Sequence, residues 1–180
     1  MKRTNEQIIT EYLVINCQLG DEKALEALLR LWYPKLLAYA NSRISDRSKA
    51  EDAVQLSFEA LTKSISKISD PRSFPKWIYS ILQRKCTDLM REHYRQEKLT
   101  STLSEQQQTE HYDVESDEDQ GALNDLVKCL SPEHYQLVYL HYLEGLTMTE
   151  IAEVIRVPVG TIKSRLYKAR EQLAIRLNGE

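Results

Sequence analysis

Glycine, proline, cysteine and histidine are all scarce in this chain, and each shortage excludes a class of site. Its 180 residues include five glycines and five prolines, too few for a glycine-rich phosphate-binding loop or a glycine-flanked nucleophile turn. The four histidines and three cysteines lack the spacing of metal ligands or of a disulfide framework. We therefore expect no enzymatic activity, no metal and no cofactor, and the cysteine pattern favours a reducing compartment.

Long apolar segments are absent as well. No run approaches the roughly 20 residues that span a bilayer, and no signal peptide is evident. The sequence therefore predicts a cytoplasmic protein without membrane insertion. Leucine, alanine, glutamate, lysine and glutamine are abundant, and no long alternating run of β-branched residues occurs, which favours helices over strands. We predict an all-α fold of two small helical domains joined by a flexible acidic linker, with the divisions 1–97, 98–121 and 122–180.

Helical periodicity locates most of the expected elements. Apolar residues recur at three- and four-residue steps over about 21–40, 48–65 and 74–94, and again in the C-terminal third of the chain. Pro34 should kink or divide the first of these segments. In the C-terminal third, Gly145 is placed to end a helix that begins at a Ser-Pro pair.

The net charge of −3 conceals an uneven distribution. Between Glu97 and Asp119, eight acidic residues face one basic residue, whereas six basic residues face one acidic residue between Arg156 and Arg176. A further excess, seven basic residues against three acidic ones, lies between 72 and 98. Two basic regions separated by an acidic stretch suggest two contacts with one polyanion, although solvated helix faces are the alternative.

A helix-turn-helix pattern in the last third of the chain predicts DNA binding. Thr147 and Glu150 match a capping box, and a basic helix follows after a short turn in which Arg156 stands where glycine is common. Arginine on such a helix can donate two hydrogen bonds to guanine, hydroxyls at its start can hold phosphates, and lysines displace counterions. We assign Arg165 to the first role, Thr161 and Ser164 to the second, and Lys163, Lys168 and Arg170 to the third. An ordinary helical hairpin with a basic solvent face is the alternative.

A second basic face is predicted on the helix over about 74–94. Arg84, Asp88, Arg91 and Arg95 recur at steps of four, three and four, with Tyr94 beside them. Basic side chains next to an aromatic ring suit DNA, as a duplex or locally opened. We expect Asp88 to hold Arg84 or Arg91 in place. A surface of helical ion pairs explains the same spacing equally well.

The segment over about 48–65 has an acidic face opposite its apolar side. Glu51, Asp52 and Gln55 lie on this face, which is unsuited to DNA. It is either simply solvated or contacts a protein with a basic surface.

In this order the segments resemble the extracytoplasmic-function (ECF) branch of bacterial RNA polymerase sigma factors, across nearly all of 20–177. Ala50-Glu51-Asp52-Ala53-Val54-Gln55 with Phe58 is similar to the family segment that docks on the clamp helices of the largest polymerase subunit. Phe74-Pro75-Lys76-Trp77-Ile78-Tyr79-Ser80-Ile81 is similar to the segment that opens and reads the −10 element. Pro158-Val159-Gly160-Thr161-Ile162-Lys163-Ser164-Arg165-Leu166 resembles the reader of the −35 element.

The resemblance implies a sigma factor that binds core RNA polymerase, through its clamp helices and flap, and directs it to promoter DNA. It also implies an anti-sigma partner, and it makes the loop 67–73 the rim of a pocket for a flipped base. The chain departs from the family at Leu56, where an acid is usual, at Gln83-Arg84, where Arg-Asn is frequent, and at Tyr135, where Arg is common. The alternatives are a stand-alone helix-turn-helix regulator and a helical protein that sequesters a partner without reading DNA.

Overall fold

The computed structural model describes residues 4–100 and 130–178, and within these two ranges the chain is helical without strands. The expected all-α fold is confirmed. Short 3₁₀ turns, Ile65–Lys67 and Pro71–Ser73, precede the fourth helix, and a π turn spans Tyr139–Leu143. The α-helices are α1 (Asn5–Gln18), α2 (Glu22–Asn41), α3 (Arg47–Ser64), α4 (Phe74–Thr100), α5 (Pro132–Val138), α6 (Met148–Ile155) and α7 (Val159–Asn178).

Side-chain caps fix where most of these helices begin. A serine, threonine or aspartate oxygen accepts a hydrogen bond from a backbone N–H of the first turn, which would otherwise lack a partner. The capping residues are Thr4, Asp21, Asp46, Ser131 and Thr147.

Pro34 does not divide the second helix into two, which was one of the two outcomes that the sequence predicted. α2 continues from Glu22 to Asn41 with the proline inside it. Trp32 and Leu36, which flank the proline, are both buried. Their packing therefore stabilises the helix across the missing N–H, as tertiary contacts commonly do for amphipathic helices.

A continuous hydrophobic cluster joins residues of both described ranges. In its centre, the ring of Trp32 lies 5.0 Å from that of Phe74 and 5.9 Å from that of Tyr79. Tyr79 in turn lies 6.3 Å from Tyr139, which follows α5. Helix α6 packs on α4, and α5 packs on α7. The C-terminal helices are therefore seated directly on the N-terminal ones.

The structure bears on the predicted divisions only in part. α4 continues through Thr100, three residues into the stretch 98–121 that we assigned to the linker. The rest of that stretch, and the start of the predicted C-terminal domain, lie outside the described residues. No helix in the described part of the chain is both long enough and apolar enough to cross a membrane.

Candidate nucleic-acid and protein interfaces

Helix α6 is bounded by a capping box at its start and by a left-handed residue at its end, before the turn to α7. Thr147 caps the start of α6 with both hydrogen bonds of a capping box. The Thr147 hydroxyl accepts from the Glu150 N–H, and the Glu150 carboxylate accepts from the Thr147 N–H at 2.8 Å. Arg156 ends α6 with φ +63°, the left-handed conformation that glycine adopts most easily. Its N–H donates to the Ala152 carbonyl at 2.8 Å. The turn is therefore preserved although arginine replaces the usual glycine.

Helix α7 divides into a buried and an exposed side. Ile162, Leu166 and Ala169 are fully buried, as their spacing predicted. Thr161 is half-buried, and the Thr161 carbonyl accepts a hydrogen bond from the Ser164 hydroxyl at 3.0 Å. The candidate DNA-binding residues on the exposed side are Lys163, Ser164, Lys168 and Arg170.

Arg165, the residue that we predicted to read guanine, has a partner within the protein. Its Nη1 atom lies 3.0 Å from the Glu133 Oε2 atom on α5, and 35% of its side chain is exposed. A second contact joins the same two helices: His134 Nδ1 on α5 lies 2.9 Å from Gln172 Oε1 on α7. In this arrangement Arg165 ties α7 to α5, and a contact with DNA requires it to exchange Glu133 for a base.

Two aromatic residues at this surface were not predicted from the sequence. Tyr167 is 63% exposed and lies within one helical turn of Lys163, Ser164 and Lys168. A hydrogen bond to Glu171, together with its negative charge, raises the pKa of the Tyr167 hydroxyl. The signal was available, because position 167 falls outside the buried period of α7. The second ring, Tyr142, lies 5.8 Å from the Arg170 guanidinium.

The basic face predicted on α4 is present as one exposed stripe. All five of its candidate residues, Arg84, Asp88, Arg91, Tyr94 and Arg95, are exposed, and Tyr94 is 68% exposed. The expected ionic link is not made: in the part of the chain that the structure describes, no ion pair joins Asp88 to Arg84 or Arg91. Instead Arg95 Nη1 contacts Glu92 Oε2 at 3.1 Å. The stripe therefore carries three arginines, of which one is paired along the helix.

The buried side of α4 accounts for one departure from the family pattern. Gln83 is buried, and its Oε1 atom accepts a hydrogen bond from the Tyr39 hydroxyl at 2.7 Å. Burial raises the pKa of that hydroxyl and also raises the pKa of the neighbouring Cys86 thiol to about 11. The departure at position 83 therefore belongs to the core, whereas Arg84 lies on the surface. Trp77 is half-buried against Phe74.

On α3, the acidic face lies opposite a fully buried side formed by Ala50, Ala53 and Val54. Asp52 and Gln55 are exposed. Glu51 is half-buried, and its Oε1 atom lies 3.1 Å from Arg47 Nε.

An aromatic pair borders this face: Phe58 belongs to the segment that resembles the family docking motif, whereas no motif signalled Tyr33. Tyr33 of α2 is 42% exposed, and its ring centroid lies 6.4 Å from that of Phe58. Phe58 follows Gln55 by three residues and Glu51 by seven, so the three share one stripe of α3. Leu56, the departure from the family acid, is half-buried at the side of this stripe.

Among the residues of the described ranges, no group of three His, Cys, Asp or Glu side chains is arranged to hold a metal ion. The surfaces described above present charged and aromatic groups suited to recognition.

Comparison with known proteins assigns the class. The model of the ECF sigma factor family matches residues 6–179, and the chain belongs to this family. The predicted sigma-factor function, with core RNA polymerase and promoter DNA as partners, is confirmed, and the stand-alone regulator is not favoured.

Individual relatives agree over nearly the whole chain. The ECF RNA polymerase sigma-E factor of Haemophilus influenzae is 29% identical over 182 residues, covering 93% of this chain and 95% of that protein. The RNA polymerase sigma-H factor of Pseudomonas aeruginosa is 26% identical, covering 94% and 93%. Among solved structures, the sigma factor RpoE of Bartonella quintana, in complex with the anti-sigma factor NepR, matches with a TM-score of 0.63 and 24% identity, covering 87% of this chain and 98% of that one. This likeness concerns the fold.

Proposed function

We propose that this sigma factor uses three separate helix faces for its three contacts: α3 for core polymerase, α4 for the −10 element and α7 for the −35 element. The observation that carries the proposal is that each helix buries its apolar side and leaves the residues that the sequence singled out exposed or half-buried on the other side. In the divisions proposed here, residues 1–97 hold the first two faces, 98–121 form a flexible acidic linker, and 122–180 hold the helix-turn-helix. The protein acts in the cytoplasm, where its polymerase works, and has no catalytic step of its own.

On α7, charge positions the helix and specific side chains read the bases. Lys163, Lys168 and Arg170 neutralise phosphates, and Thr161 and Ser164 hold the backbone at the helix start. Arg165 leaves Glu133 and donates to a guanine edge in the major groove. The exposed ring of Tyr167 adds an apolar surface for a thymine methyl group. These roles predict that the contribution of Lys163, Lys168 and Arg170 to DNA affinity depends strongly on salt, whereas that of Arg165 depends on the base.

On α4, the stripe of Arg84, Arg91 and Arg95 follows the phosphates of the −10 element. Tyr94 offers its ring to a base of the separated strand, and such stacking contributes about 1–3 kcal/mol per base. Asp88 lies between the arginines without an ion pair to Arg84 or Arg91 in the described structure, so it is available to accept a hydrogen bond from a base. The loop 67–73 forms the rim for a base removed from the stack, which costs a few kcal/mol.

On α3, Glu51, Asp52 and Gln55 contact the clamp helices of the largest polymerase subunit, and the C-terminal helices contact the flap. An acidic face of this kind fits a basic partner surface and repels DNA. An anti-sigma factor that covers these surfaces is a further proposed partner. It is supported by the family resemblance and by the RpoE–NepR complex, whose sigma factor shares this fold.

Charge reversal tests the docking face. Glu51→Lys together with Asp52→Lys should abolish binding to core polymerase and run-off transcription, because the new lysines meet a basic surface. The matched control reverses two exposed acids on α2, Glu22→Lys with Glu26→Lys, and should retain both activities. Circular dichroism verifies that each variant keeps its helix content. Retained polymerase binding by the α3 variant refutes the docking assignment.

A further inference from the structure

The outward side of α1 is apolar, although the opposite side of this helix is already buried in the core. Ile8, Tyr12 and Ile15 of α1, with Leu19 at its C-terminal cap, are between 46% and 79% exposed. They recur at steps of four, three and four, so they form one stripe, which we call the outer stripe of α1. Helices that are apolar on every side are normally buried on every side. The outer stripe is therefore a candidate interface.

The rest of the molecule holds α1 in a fixed position. Gln18 Nε2 donates to the carbonyls of Ile65 and Ile68 at 3.0 and 2.7 Å. On the buried side, Trp32 Nε1 donates to Thr10 Oγ1 at 3.2 Å, and a capping box closes the first turn. The outer stripe is thus presented in one orientation, and a surface that is ordered in advance loses little entropy when it binds.

The charges around the outer stripe exclude a polyanion as its occupant. Helix α1 contains no lysine or arginine, and its two acidic residues are Glu6 and Glu11. Glu6 pairs with Lys35 of α2, whereas Glu11 lies at the edge of the outer stripe. A nucleic acid or an anionic membrane surface is repelled by such a helix. The occupant is therefore an apolar protein surface.

The spacing of the outer stripe is complementary to itself when two copies of α1 run antiparallel. With the two-fold axis at the midpoint of 8–19, Ile8 lies opposite Leu19 of the second copy, and Tyr12 lies opposite Ile15. Every apolar side chain of the stripe then meets an apolar side chain. Such a pair is isologous, the kind of interface that joins most homodimers.

The flanking residues favour the antiparallel direction over the parallel one. In the antiparallel register, Glu11 lies beside neutral Gln18 of the second copy. A parallel pair would instead bring the two Glu11 carboxylates to the same level, where they repel each other. The opposed helix dipoles also favour the antiparallel pair.

The area of the outer stripe suits a weak dimer. Together with the neighbouring Ile9, which is also exposed, it presents on the order of 500 Å² of apolar surface, comparable to the largest patches on monomeric proteins. Pairing two copies removes roughly 1,000 Å² from water, at the lower end of the range for specific interfaces. We therefore expect a dissociation constant in the micromolar range.

We propose that the free protein forms a two-fold symmetric homodimer through the outer stripes of two antiparallel α1 helices. The outer stripe shares no residue with the faces proposed for polymerase and DNA on α3, α4 and α7. The inference therefore stands independently of those assignments.

Sedimentation of the full chain over a concentration series tests the dimer. The mass of the wild type should rise with concentration from 21.0 kDa toward twice that value. Tyr12→Glu sets a carboxylate against Ile15 of the second copy and should raise the dissociation constant at least tenfold, and Ile15→Lys should do the same. The matched control, Ile175→Glu, charges an exposed apolar residue of α7 and should leave the dissociation constant unchanged.

The double variant Tyr12→Glu with Ile15→Lys tests the register. In the antiparallel pair each new carboxylate faces a new ammonium group, so the double variant should dimerise at least fivefold more tightly than either single variant. In a parallel pair like charges would face each other at both positions, and the double variant would dimerise more weakly than the single ones.

Three results overturn the proposal. They are a wild type that remains at 21.0 kDa up to about 300 µM, equal weakening by Tyr12→Glu and Ile175→Glu, and a double variant weaker than both single variants. Circular dichroism verifies the fold of each variant. If Tyr12→Glu loses helix content, Leu19→Gln at the exposed cap decides, since it should raise the dissociation constant at least threefold. These measurements contain neither polymerase nor DNA, so a failure of the proposed function is seen separately.

Discussion

Replacing Arg165 with alanine distinguishes a base-reading residue from a structural clamp. In the structure its guanidinium contacts Glu133 at 3.0 Å, with 35% and 67% of the two side chains exposed. Ion pairs with this degree of exposure contribute about 0–1 kcal/mol. A bidentate contact with guanine contributes about 1–3 kcal/mol of discrimination. The exchange of Glu133 for guanine is therefore favourable, and the internal pair does not prevent Arg165 from reading DNA.

The expected result follows from this balance. Arg165→Ala should weaken holoenzyme binding to the upstream element by about 1–3 kcal/mol, roughly 5- to 150-fold, and should relax the base preference at one position. Glu133→Gln removes the competing carboxylate charge and should leave the preference intact. Fluorescence anisotropy of holoenzyme on duplexes that carry each of the four bases at every position measures both effects.

The contrary outcome is equally specific. If Arg165→Ala weakens all duplexes alike, or lowers the thermal midpoint without changing base preference, then Arg165 only joins α7 to α5. Arg176→Ala, which removes an exposed arginine from the last turn of the same helix, controls for the loss of one positive charge. A change in preference that also occurs with Arg176→Ala refutes the assignment of Arg165.

Two further predictions concern Tyr33 and Glu144. Tyr33→Ala should weaken polymerase binding at least tenfold in a titration, because the exposed ring borders the docking face, whereas Tyr12→Ala on α1 should not; equal effects refute the role of Tyr33. Burial raises the pKa of Glu144, although Lys35 opposes the shift, so the folded protein binds this proton more tightly than the unfolded chain. In urea titrations, the contribution of Glu144 to the free energy of unfolding should therefore increase as the pH falls toward the ordinary glutamate value of about 4.3, and this component should vanish in Glu144→Gln.

Spacing alone predicted the exposed stripes, because a helix converts steps of three and four into a shared face. The five candidates on α4 are all exposed, and Ile162, Leu166 and Ala169 are all buried. The same rule does not hold to the end of α7, since Leu177 continues the apolar spacing and is 60% exposed. Periodicity describes a face but does not say where the neighbouring helices end.

Periodicity does not predict contacts between segments that are distant in the sequence. Glu133 and Arg165 are paired across two helices, and no local pattern marks either as the partner of the other. No local pattern indicates that Gln83 is buried, and its partner, the Tyr39 hydroxyl, comes from another helix. A third difference is the length of α4, which was predicted to end near Tyr94 and continues to Thr100. Helix propensity explains it, because no glycine or proline follows Tyr94 in this helix.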